Sequence, residues 1–167
     1  MSHLFLALSA LALLAAIAAQ DWLVPALRNE TISSGLDGPK HGLLDGAYIV
    51  LAAALVIGFR AHPLTEAFAI VAALALVLSG VANTAWRWVD RVTGGKHALW
   101  HLRFTIVIFA AAAAVEVTAD IGRGALWWLT AAGAIVPAAV WGLTERTDYA
   151  EKVGVLLLCI WLIAWAI

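Results

Sequence analysis

The run Gly94-Gly95-Lys96-His97-Ala98-Leu99-Trp100-His101-Leu102-Arg103 carries a short polar loop into an apolar segment. A helix beginning near Lys96 stacks the imidazoles of His97 and His101, four residues apart, on one face. Asp37, His41 and Asp45 repeat that spacing ahead of another apolar block, and Glu145 and Asp148 precede the last one. Imidazoles and carboxylates gathered at a membrane surface form the donor set of Zn²⁺ or a similar divalent ion, which activates water against an ester or amide. His41, Asp45, His97, His101 and Glu145 are the candidate metal ligands. A second chemistry needs only two of them, because His41 with His97 or His101 supplies axial nitrogens for a haem held between helices. His101 matters most to both, since it lies deeper in its helix. Against either cofactor stands the absence of a His-Glu-x-x-His arrangement, which would put two ligands and a general base on one helix. Polar groups that cap and snorkel at helix ends account for the same residues with no cofactor at all.

Arg87, Arg91 and Arg103 lie among tryptophans at the same margin. There a guanidinium grips a lipid phosphate through paired hydrogen bonds, or simply extends toward the headgroups. Asn83 and Glu116 fall within or near the ends of apolar blocks, where polar side chains are costly. Asn83 is expected to bond a neighbouring helix, and Glu116 to reach the interface beside Asp120 and Arg123. His3 and His62 are expected in solvent. No nucleophile motif of Ser, His and Asp is present, no Gly-rich phosphate loop, and no soluble nucleotide-binding segment that would power transport.

The elements that must position these residues follow from composition. The chain has 167 residues, of which 64% are hydrophobic and 13% charged, and its mean hydropathy is +0.95. Such values lie far outside the range of soluble domains and indicate an integral membrane protein. Six apolar blocks reach, or nearly reach, the length needed to cross about 30 Å of hydrocarbon as helices. They cover about 4–23, 43–59, 65–86, 97–118, 125–143 and 153–167, the last being short. The expected fold is all-α, a polytopic transmembrane bundle of six spans forming a single domain over 1–167. The first block ends in a stretch resembling a signal-peptide cleavage region, but Met1-Ser2-His3 carries no Lys or Arg, so a retained span is expected. Residues 24–42 form the longest polar connection, broken by Pro25, Gly35, Gly38, Pro39 and Gly42. Its Asn29-Glu30-Thr31 is a glycosylation sequon by pattern alone. A formal net charge of −1 gives no basic stripe for a nucleic acid. The lone Cys159 excludes an intramolecular disulfide.

Six spans place the connections after the first, third and fifth on one side of the membrane, and eight of the ten Lys and Arg lie there or at its margin. By the positive-inside rule that side is cytoplasmic and the termini are outside. Of the nine tryptophans, Trp22, Trp86, Trp88, Trp100 and Trp141 are expected at this interface and Trp127 and Trp128 at the other, as aromatic belts. Trp161 and Trp165 are expected to anchor the last helix. Small residues such as Ala52-Ala53-Ala54 and Ala110–Ala114 allow close helix packing.

Three stretches carry a resemblance to a known family. These are Ile32-Ser33-Ser34-Gly35-Leu36-Asp37-Gly38-Pro39 before the second span, the Gly-Gly-Lys-His-Ala-Leu-Trp-His run opening the fourth, and Gly142-Leu143-Thr144-Glu145-Arg146 before the sixth. Together they resemble the pattern of the DUF998 family, six-span bacterial membrane proteins distantly similar to the Frag1/DRAM/Sfk1 group of eukaryotes. The resemblance runs over nearly the whole chain and implies six spans with the termini in the cytoplasm and the polar loops outside, the reverse of the charge count. It brings no catalytic residues with it. The expectation is therefore a multi-pass protein of a bacterial inner membrane that interacts with lipids or a protein partner, as a homo-oligomer or a small subunit of a larger complex. The alternatives are a metal-dependent membrane hydrolase and a haem-bearing electron carrier.

Overall fold

The computed structural model describes residues 2–23, 41–60, 62–84, 91–95, 97–121 and 126–167. Their long elements are six α-helices: α1 (Ser2–Leu23), α2 (His41–Gly58), α3 (Pro63–Thr84), α4 (His97–Asp120), α5 (Trp127–Thr144) and α6 (Thr147–Ala166). Of these, α1, α3, α5 and α6 are long and apolar enough to cross a membrane, whereas the apolar part of α2, Leu44–Gly58, is shorter. Large apolar side chains cover the outside of the bundle, among them Leu4, Ile49, Leu74, Ile106, Trp128 and Leu143, the last 86% exposed. In water so continuous an apolar exterior would drive association. Against hydrocarbon it is the expected surface, and helices alone satisfy their backbone there.

Each helix packs against its successor, and α6 returns to α1. The six thus close a ring in chain order. Neighbours run antiparallel: Leu6 near the start of α1 lies against Gly58 at the end of α2, where even a Cβ would come within 3.3 Å of a Leu6 methyl. At the other end Lys152 of α6 donates to both carboxylate oxygens of Asp21 in α1, at 3.0 and 2.9 Å. Packing is most extensive between α3 and α4 and thinnest between α4 and α5. The bundle therefore has a loop end, where α1 finishes and α2, α4 and α6 begin, and a terminal end that holds Ser2 and Ala166.

Inside the ring, buried alanines (Ala10, Ala47, Ala54, Ala69, Ala72, Ala111) alternate with leucines (Leu6, Leu13, Leu44, Leu51, Leu76). The small side chains let helix backbones approach, as membrane helices require when no hydrophobic gain separates protein from lipid. Hydroxyls within the helices are satisfied locally: Ser9 donates to the Leu6 carbonyl at 2.7 Å and Thr118 to the Ala114 carbonyl at 2.7 Å.

Two features differ from the sequence-based expectation. The last helix starts at Thr147, so it has 20 residues instead of a short stretch from Val153. Its polar first turn is accommodated because Glu145 takes a left-handed conformation (φ 54°) that closes α5, and its N–H donates to the Trp141 carbonyl at 2.7 Å. Trp161 and Trp165 are not peripheral anchors; they are 0% and 2% exposed. Phe59 stacks on Trp161 with centroids 6.2 Å apart and tilts against Trp165 at 4.5 Å, and His3 tilts against Trp165 at 4.8 Å. Trp22, Trp100, Trp127, Trp128 and Trp141 are exposed near the two ends as expected, and Trp86 and Trp88 lie outside the described residues.

Candidate functional site

The loop end gathers polar side chains from four helices around the mouth of an internal cavity of about 50 Å³. Its wall is apolar over most of its length, with Leu51 and Leu55 from α2, Ala72 and Leu76 from α3, Ala112 from α4 and Leu158 from α6. Toward the loop end the lining changes to Tyr48, Ser79, Thr105 and Glu151. From Thr105 to Val115 the wall follows α4 for about 15 Å, at about 1.5 Å rise per residue. The space is thus apolar along most of its wall, with hydroxyls and one carboxylate at a single end.

Asp45 sits one turn of α2 closer to the loop end than Tyr48. Its Oδ1 lies against Gly80 of α3, where a Cβ would stand 3.4 Å away. The carboxylate thus lies in close contact with the α3 backbone. Near this polar mouth the Asp21–Lys152 ion pair ties α1 to α6, and another ion pair closes locally at the start of α6. Besides Asp21–Lys152, Arg146 donates through Nε to Asp148 Oδ1 at 3.1 Å and through Nη2 to Oδ2 at 2.6 Å. This paired hydrogen bond to Asp148 raises the proton affinity of the Arg146 guanidinium still further. The same guanidinium stacks over the Tyr149 ring, 3.9 Å from its centroid.

The candidate metal ligands distribute as follows. His41 opens α2, and His97 and His101 occupy the first turns of α4, all at the loop end as their spacing implies; their side chains lie outside the described residues. Asp45 faces α3. Glu145 is exposed at the close of α5. Because α2 and α5 sit on opposite arcs of the ring, Asp45 and Glu145 are not neighbours. Among the described residues, no three His, Cys, Asp or Glu side chains cluster closely enough to hold a metal ion. Asp37 and Asn29 lie outside the described residues, as do Arg87, Arg123 and the side chain of Asn83. Arg91 is exposed. Arg103 is also exposed and covers the Trp100 ring at 5.0 Å, a cation–π pair suited to the headgroup region.

Gly94 and Gly95 have φ of 68° and 82°, so the turn before α4 uses a conformation that side chains disfavour. That turn sets the direction in which α4 enters the ring.

At the terminal end the structure buries two acids that the sequence reading put at the interface. Glu116 is 6% exposed and Asp120 is 0% exposed. Asp120 Oδ2 accepts from the Thr130 hydroxyl at 2.7 Å and from the Trp161 indole N–H at 3.3 Å. Two carboxyls four residues apart, after a long apolar run of the helix, are visible in the sequence. They turn inward against Gly133 and Trp161, which only the packing brings opposite them. No protein-family model matches this chain, and no curated protein or solved structure shows significant similarity to it.

Proposed function

We propose that this is a six-span integral membrane protein of a bacterial inner membrane that binds the hydrocarbon tail of an amphiphile, a lipid-interacting role without chemistry of its own. The observation that carries the proposal is the axial cavity, apolar along about 15 Å of α4 and ending in Tyr48, Ser79, Thr105 and Glu151. Six antiparallel helices with an apolar exterior support the six-span reading, and a helical bundle instead of a closed barrel supports the inner membrane. Exposed Arg91 and Arg103 at the loop end are placed to contact phosphates of the surrounding lipid.

Native mass spectrometry of the protein released from detergent tests the reading. The wild-type chain is expected to retain about one amphiphile. Ala112→Leu, which fills the cavity, is expected to lower occupancy about tenfold, equivalent to about 1.4 kcal/mol. A folded Ala112→Leu protein that keeps its full complement of lipid would sink the proposal. Elemental analysis and an absorption spectrum of the same sample address the cofactor alternatives. About one zinc per chain would put a hydrolase built on His41, Asp45, His97, His101 and Glu145 first, and an iron-porphyrin spectrum would do so for a haem on His41 and His101.

A further inference from the structure

We propose that Glu116 and Asp120 form a proton-binding site at the seam between α4 and α5, with one proton shared by the pair and carried by Glu116. The site is separate from the cavity mouth, lying at the opposite end of the bundle. It stands on the burial of the pair, the donors to Asp120, the break in the α5 ladder at Pro137 and the charges around them.

Both carboxyls are more than nine-tenths buried, and four-residue spacing puts them on one face of α4. Asp120 has two donors on Oδ2, Thr130 from α5 and Trp161 from α6, while its buried Oδ1 has no hydrogen-bond partner among the described residues. Two donors on one oxygen offset part of the cost of burying that carboxyl. Glu116 has no such donors among the described residues. Its Oε2 lies 3.4 Å from the position a Cβ would take on Gly133.

Gly133 is four residues before Pro137, the one proline inside α5. A proline lacks the N–H that would bond the carbonyl of the residue four before it. The Gly133 carbonyl is therefore left without its helical donor on the turn that faces Glu116. Protonation would give Glu116 a hydrogen to donate, and the two acceptors that lack a donor on the turns beside it are that carbonyl and Asp120 Oδ1. An ionised Glu116 would face no donor among the described residues and would sit beside a second negative charge.

The charged and titratable surroundings support one proton and no metal ion. Asp120 lies one turn from Glu116 on the same face of α4. From α5 the pair faces Thr130 and Gly133, and from α6 it faces Trp161, none of them titratable in the ordinary range; Arg123 lies outside the described residues. Thr130 Oγ1 already gives its proton to Asp120, and Trp161 offers a donor, which a cation would not accept. Uptake of one proton from water takes the pair from two negative charges to one and needs no other reactant. It also bonds α4 to α5 where the ring packs most thinly, so the charge state of the pair sets how firmly that seam is closed.

The hydrophobic reagent dicyclohexylcarbodiimide, which attacks protonated carboxyls buried in membranes, tests this on the purified full chain in lipid vesicles, with adducts mapped by mass spectrometry. Expected are labelling of Glu116 at pH 7, where an ordinary glutamate is ionised, no labelling of Asp120, and no protection by Na⁺ or Ca²⁺. Asp120→Asn removes the neighbouring charge and is expected to lower the pH of half-labelling by about one unit or more. If Asp120→Asn does not fold, Trp161→Phe serves instead: with one donor lost, part of the label is expected to move to Asp120. An unlabelled Glu116 in folded protein at pH 7, protection by either cation, or the same labelling pattern and half-labelling pH in the folded variant would overturn the proposal.

Discussion

Trp161 and Trp165 do at the residue scale what neither could do at a lipid surface. Each fills the terminal end of the ring, and Trp161 also supplies the indole N–H that an otherwise costly buried carboxylate requires. Trp165→Ala is expected to destabilise the protein by about 3–5 kcal/mol through the cavity it leaves, measured by reversible denaturation in mixed micelles. Trp161→Phe keeps most of the volume but removes one donor to Asp120, and is expected to cost about 1–3 kcal/mol. An exposed tryptophan such as Trp128 offers the contrast: Trp128→Phe should change stability by less than about 0.5 kcal/mol. Sequence alone does not separate these tryptophans, because all lie near the ends of apolar segments. The separation comes from which helix face meets Phe59.

At the scale of elements, helix ends and helix seams respond to different substitutions. Glu145 closes α5 with φ 54°, a conformation glycine adopts freely and a glutamate does not. Glu145→Gly is expected to raise stability by about 1 kcal/mol. If Glu145 instead holds a metal, the same change lowers metal content, so thermal unfolding and elemental analysis on one preparation tell the two roles apart. Gly154 in α6 lies where a Cβ would meet Phe109 of α4 at 3.3 Å and Pro137 of α5 at 3.5 Å. Gly154→Val forces a branched side chain into this three-helix junction and is expected to cost about 2–3 kcal/mol. The Asp21–Lys152 pair joins α6 to α1 across partly exposed groups. Asp21→Asn is expected to cost less than about 1 kcal/mol, with a loss that shrinks in high salt.

For the whole molecule, antiparallel neighbours and a ring closed by α6 on α1 require both ends of the bundle to alternate along the chain. In a Cys159→Ser background, the single-cysteine variants Arg60→Cys and Thr144→Cys are expected to react with an impermeant thiol reagent from opposite sides of sealed vesicles. Labelling of both from one side would refute six spans. The same experiment fixes the orientation, on which charge distribution and family resemblance point in opposite directions.

Composition and hydropathy by themselves determined an all-helical membrane chain, because 64% hydrophobic residues in long blocks leave the backbone no other way to satisfy its hydrogen bonds in hydrocarbon. The limits of the apolar blocks put helix starts at about residues 43 and 97, and the alternation of spans put His41, His97 and His101 at one end. Hydropathy did not decide which face of each helix turns inward, since in lipid both faces are apolar and the pattern that marks a core in water is absent. Tertiary structure made that choice through small contacts at particular places. Asp45 lies against Gly80, Glu116 against Gly133, and Trp161 donates to Asp120. The cavity mouth and the inward turn of the two acids at the seam were therefore decided only when the helices were brought side by side.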